Sequence, residues 1–147
     1  MFQPAVPILR SFDEAKAREF YVAFLGFTVD FEYRFEPGMP PYIGISQGNC
    51  RIHLSEHFGD CAPGARVRIE VADVRGLCAS LTAKGYGNAR PGWHEQDWGC
   101  AEMTIHDPFA NRLTFWTTTP EGAGSSAGRR RVTLPGTPPT PFPRRGS

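Results

Sequence analysis

Chelation and acid–base catalysis need nitrogen, sulfur or carboxylate groups that converge on one point, and one short run of this chain offers them: His53, Ser55, Glu56 and His57. Side chains alternate along a strand, so His53, Ser55 and His57 share one face while Glu56 turns to the other. That splits the set, and polar residues on a solvated strand are the expected reading. His94 and His106 fall at loop or strand-end positions and are expected at the surface. The four cysteines, at positions 50, 61, 78 and 100, show no C-x-x-C spacing. Cys78 falls on the apolar face of a predicted helix and belongs to the core. No Ser-His-Asp or Cys-His spacing supports an activated nucleophile. No catalytic residue is therefore assigned.

The elements that position these residues are organised around Trp98 to Trp116. Met103 and Ile105 alternate with polar residues, Asp107-Pro108 opens a turn, and Leu113 and Phe115 alternate again, which predicts an antiparallel hairpin. Asp107 is suited to bond backbone two residues on, and Asn111 tolerates a left-handed conformation. Upstream, Val6, Ile8 and Leu9 make a first strand, which Pro7 confines to an edge or a bulge. Ser11 and Glu14 form an S-x-x-E capping box. Ala17, Phe20, Tyr21, Phe24 and Leu25 then recur at helical spacing up to Gly26. Three strands follow: Phe27 to Phe35, with its apolar residues on alternate positions, then Tyr42 to Ser46 and Cys50 to His57.

The pattern then restarts. Val67, Ile69 and Val71 form a strand. Asp73 caps a helix with Val74, Leu77, Cys78 and Leu81 on one face, and Gly85 ends it. A weak strand between Ala89 and Gln96 precedes the hairpin. The spans Asp13 to Gly26 and Asp73 to Gly85 nearly match, and each Gly is followed by an aromatic residue. A strand–helix–three-strand unit used twice is an internal duplication. The fold class is therefore α+β: two βαβββ modules, residues 4–57 and 65–118, whose helix-free faces curve into a cup. They make up a domain of residues 1–119. Residues 120–147 are rich in Pro, Gly, Ser, Thr and Arg, and are expected to be a disordered tail.

Of 16 basic and 15 acidic residues, five arginines and one glutamate lie in that tail. Residues 1–119 keep 11 and 14, a net charge of −3. An acidic body argues against nucleic acid as a partner and mildly favours cationic ligands. No apolar run is of membrane length and no signal peptide stands at the start, so the expected setting is the reducing cytoplasm, with no membrane partner.

With the duplication, VPILRSFDEAKAREFYVAFLGF from Val6 and WGCAEMTIHDPFANRLTF from Trp98 resemble the glyoxalase/bleomycin-resistance/extradiol dioxygenase superfamily, also called the vicinal oxygen chelate fold. The resemblance covers residues 4–118 and is nearest to the bleomycin-binding resistance proteins. These share the A-V-P opening, the helix ending in L-G-F, an acidic-aromatic pair (here Asp30-Phe31) and the W-G…D-P…N…F ending. The superfamily's enzymes hold a divalent metal with His and Glu at four strand positions. Here those positions fall on Ala5 or Val6, on His53 or Ser55, on Arg66, and on Thr114. One plausible ligand of four is too few, so neither a metal nor another cofactor is expected.

The resemblance implies a homodimer with two clefts that sequester a bleomycin-type glycopeptide. Stacking and cation–π contacts contribute roughly 0.5–2 kcal/mol each, so several must combine. The ligand-binding candidates are Asp30, Phe31, Phe35, Ser55, Arg66, Trp98 and Trp116, with Trp93 extending the surface. Arg66 and Arg68 depart from the resistance proteins' aromatic fifth strand and favour an anionic or carbonyl group, unless Glu70 pairs with one of them. Ala110 stands where the family has Gly. The alternatives are a metal-dependent lyase, isomerase or dioxygenase using His53, and a small-ligand sensor.

Overall fold

Leu9, Ile43, Ile45, Ile52 and Leu54 fall on alternate strand positions, so their strands turn them all to one side, and there the first helix packs. A computed structural model describes residues 1–119. The first module comprises β1 (Ile8–Arg10), α1 (Glu14–Ala17) with a π-helical continuation (Arg18–Phe24), β2 (Thr28–Tyr33), β3 (Tyr42–Gln47) and β4 (Cys50–Ser55). The second comprises β5 (Arg66–Glu70), α2 (Val74–Ala83), β6 (Trp93–Gln96), β7 (Cys100–His106) and β8 (Arg112–Thr118). The strand orders are β1-β4-β3-β2 and β5-β8-β7-β6. In each sheet the first-named pair is parallel and the rest antiparallel. The architecture is thus the duplicated βαβββ unit that the sequence predicts. The proposed tail lies outside the described residues. No described helix is long and apolar enough to cross a membrane.

Several local expectations are corrected. The first strand begins after Pro7, not at Val6; the Pro7 carbonyl accepts from His53 N, so the missing N–H costs nothing. Asp13, not Ser11, caps α1: its Oδ1 accepts from Lys16 N at 2.9 Å. Glu14 instead meets Arg18 and Arg34. Beyond Ala17 the helix widens to π bonding, as in Leu25 N to Phe20 O. The extra residue per turn lets the neighbours Phe20 and Tyr21 both point inward. In β2 the register shifts between Val29 and Phe31. This bulge breaks the expected single apolar face: Val29 stays opposite Ile45 of the core, while Phe31 turns to the open side opposite Gly44.

The two modules share one core, and the turn of the β7–β8 hairpin locks them together. Asp107 Oδ1 accepts from Phe109 N and Asn111 N, both at 2.8 Å. Its Oδ2 accepts from Tyr21 Oη at 2.6 Å and Asn111 Nδ2 at 2.7 Å. Asn111 Nδ2 also donates to Arg10 O at 2.8 Å. One buried carboxylate and one buried amide thus tie the second module's turn to the first module's helix and strand. Phe12–Phe109 and Phe24–Tyr86 ring contacts add to this joint. Among the described residues, these links come from the helix-bearing sides, the end of β1 with the segment after it, and the turn, not from the helix-free faces.

Two tests follow. Ala110, not Asn111, takes the left-handed conformation, at φ 70°. A side chain there costs roughly 1–2 kcal/mol, so Ala110→Gly should stabilise the protein by about 0.5–1 kcal/mol, measured as a rise in the urea midpoint. Burial first, and then the nearby Asp107 carboxylate, raises the Tyr21 phenol well above its ordinary 10.0. A folded value above the unfolded one leaves stability intact below pH ~10 and erodes it as pH climbs further. Tyr21→Phe should flatten that alkaline loss in pH-dependent thermal melts while lowering stability at neutral pH.

Candidate functional site

Each sheet has one face against its helix and one open face. The side chains on the open faces follow from register. In the first module Ile8, His53, Gly44 and Phe31 lie side by side across β1, β4, β3 and β2. Because residue 44 has no side chain, the Phe31 ring lies flat on the sheet; a Cβ at Gly44 would overlap it. Tyr42 lies beside it, its ring 16° from parallel at 6.3 Å. His53 sets its edge against both rings, at 5.2 Å from each, and its Nδ1 is 2.7 Å from Tyr42 Oη. Burial first, then Asp60 and Cys61, raise the Tyr42 phenol above its ordinary value, which keeps it protonated. Asp30 lies next to the cluster and accepts from Ser46 Oγ at 3.0 Å. Together these form an aromatic shelf with a carboxylate at its rim.

In the second module the open face is polar and indole-lined. Thr104 and Thr114 share a 2.9 Å hydrogen bond. Arg68, opposite Thr114, reaches over the Trp116 ring, 5.9 Å from its centroid, to Glu102 Oε1 at 2.5 Å. The same oxygen accepts from Trp98 Nε1 at 3.2 Å.

The structure therefore places Asp30 and Phe31 together on one open face and Trp98 and Trp116 together on the other. Phe35 lies beyond β2, exposed, with its ring against Tyr33 and His57. Ser55 is buried, and its hydroxyl is engaged by Asp60 Oδ2 at 2.6 Å and His57 N at 3.0 Å. Arg66 stands exposed at the start of β5, opposite Arg112. Trp93 does not extend the surface: it pairs with Met103 on the helix side and stacks under Arg75 at 4.5 Å. Glu102, not Glu70, pairs with Arg68. Tyr42, Gly44, Glu102 and Thr104 were not singled out in the sequence. The alternation Glu102, Thr104 against Met103, Ile105 was the signal that would have found the last pair.

A family model described as "Glyoxalase superfamily protein" matches residues 1–122. The chain belongs to the glyoxalase superfamily. Solved structures of the superfamily's fold superpose well. A bleomycin-binding protein from bleomycin-producing Streptomyces verticillus, complexed with copper(II)-bleomycin, is 26% identical with a TM-score of 0.61, over 81% of this chain and 97% of that one. A glyoxalase/bleomycin resistance protein from Streptomyces sp. CB03234 is 24% identical, TM-score 0.61, over 77% and 98%. TnmS3, an antibiotic binding protein from the same source, is 22% identical, TM-score 0.63, over 81% and 98%. No curated protein matches the chain.

The glyoxalase-superfamily enzymes' metal can be tested against the residues present. Register puts Ile8, not Ala5 or Val6, opposite His53, and Arg68, not Arg66, opposite Thr114. A hydrocarbon, one imidazole, a guanidinium and a hydroxyl already bonded to Thr104 do not make a divalent-ion site. Among the described residues no group of three or more His, Cys, Asp or Glu is placed to hold a metal.

Gly44 gives the shelf a direct test. Gly44→Ala should displace the Phe31 ring. That ring is exposed enough to swing away, so stability should fall by under about 1 kcal/mol. A planar ligand stacked on this shelf would then bind about tenfold more weakly, as seen by calorimetric titration.

Proposed function

We propose that this protein binds and sequesters a small molecule without a metal and without chemistry, and that its ligand is a bleomycin-family glycopeptide antibiotic. The single observation that carries this reading is the shelf of Phe31 and Tyr42, laid flat by Gly44, with Asp30 at its rim. A flat aromatic group stacks on such a shelf, and a neighbouring cation is held by the carboxylate and by ring faces. The Streptomyces verticillus likeness supports the same ligand class. Opposite the shelf the tryptophans supply a second wall.

That second wall belongs to another copy of the chain. Within one chain the modules join through their helix-bearing sides, and Ile8, Phe31, Tyr33, Phe35 and Trp98 stand exposed on or beside the helix-free faces. A homodimer that sets the first module of each copy against the second module of its partner covers both faces and creates two equivalent clefts. Sedimentation should give a dimer at working concentration; a monomer there removes this arrangement.

The ligand assignment is tested by titrating bleomycin against tryptophan fluorescence, with metal analysis of the purified protein in parallel. A saturable quench at micromolar drug, without stoichiometric metal, is expected. No saturable quench would sink the antibiotic assignment, and a stoichiometric divalent ion would favour a metal-dependent enzyme.

A further inference from the structure

One carboxylate oxygen on the second module's open face serves two partners. Glu102 faces Trp116 across β7 and β8. Its Oε1 receives the Arg68 guanidinium at 2.5 Å and the Trp98 indole N–H at 3.2 Å. Glu102 is 4% exposed, and a buried carboxylate needs a cation beside it, which Arg68 supplies. Arg68 in turn lies over Trp116, and its Nε is buried with no partner. Without Glu102 the guanidinium would bring an uncancelled positive charge to a surface walled by two indoles.

We infer that Glu102 sets the charge selectivity of this site and positions Trp98 within it; the inference rests on the open faces being the ligand cleft. Two effects come from one oxygen. By neutralising Arg68, Glu102 removes the repulsion that would exclude a cationic planar ligand, so the indole faces accept one. By accepting from Nε1 at the edge of the ring, it holds Trp98 while leaving the faces of the indole free for stacking. The arginine therefore does not convert the cleft into an anion site, because its charge is spent within the protein. Glu102 is a positioning and selectivity residue; it acts through Trp98 and Arg68 and need not touch the ligand.

The test uses the intact full-length protein with two planar dyes of opposite charge, thioflavin T (cationic) and anilinonaphthalene sulfonate (anionic), and with bleomycin alongside. Glu102→Gln keeps an oxygen for Trp98 and leaves Arg68 uncancelled. It should weaken thioflavin T about fivefold and strengthen the anionic dye by a similar factor, an effect that shrinks with salt. The double variant Arg68→Met with Glu102→Gln removes both charges and should return the ratio of the two affinities to that of the parent protein. Near-ultraviolet circular dichroism should retain the Trp98 signal in Glu102→Gln and lose it in Glu102→Leu. An unchanged dye ratio in Glu102→Gln, or a ratio the double variant does not restore, overturns the selectivity role even where the parent protein binds bleomycin. A Trp98 signal that survives in Glu102→Leu overturns the positioning role. A parent protein that binds neither bleomycin nor thioflavin T defeats the functional reading itself and the selectivity role with it.

Discussion

Asp107→Ala should destabilise the protein by about 3–5 kcal/mol, the largest single effect expected outside the deep core. The carboxylate accepts from two backbone amides, a phenol and a side-chain amide. It is 6% exposed and Asn111 is fully buried, so water cannot replace what is lost. Each orphaned buried donor costs about 1–3 kcal/mol, and the four do not add independently. Asp107→Asn should lie between the two: an amide oxygen can still serve the backbone, but the amide nitrogen must face the Asn111 amide nitrogen. Urea denaturation followed by circular dichroism measures both. A loss under about 1 kcal/mol for the alanine variant would mean that this turn does not lock the modules.

Phe31→Ala and Trp98→Ala should each weaken ligand binding at least tenfold, about 1.4 kcal/mol, while leaving the fold nearly untouched. The separation of the two effects rests on exposure: Phe31 is 44% and Trp98 38% exposed, so truncation removes little buried area. Trp116 is a poorer test, because its ring supports Arg68 and its loss would mix packing with recognition. Calorimetry is the suitable readout, since one variant deletes a fluorophore. Unchanged affinity in both variants would remove the two walls from the site.

The duplication, the helix spans and the closing hairpin were legible because each rests on local periodicity and on turn residues such as Asp107, Gly26 and Gly85. Faces were less legible. A regular alternation from Phe27 to Phe35 put all five aromatic or aliphatic residues on one side, yet the bulge at residues 29–31 reversed the second half. The residue types of this strand do not announce a bulge; beyond it Phe31 lies over Gly44 and beside Tyr42 on the neighbouring strand. Trp93 went astray for a related reason, since the frame of a four-residue strand is set by pairing with β7 rather than by its own sequence. Partners across strands were the hardest to read. Glu70 lies two residues from Arg68 in sequence and on the same face, but Glu102 reaches it across β8. Likewise the left-handed turn position passed from Asn111 to Ala110, because Asn111 is held by Asp107 and Arg10.

In the proposed arrangement one ligand is held between the first module's aromatic shelf and the tryptophan wall of a second copy. Mixing Phe31→Ala protein with Trp98→Ala protein tests it most directly, with calorimetric titration of bleomycin after subunit exchange. In random mixed dimers one cleft of the two carries both substitutions and the other carries neither. About one quarter of the parent protein's high-affinity sites should therefore return. A mixture that binds no better than either variant alone would contradict the account.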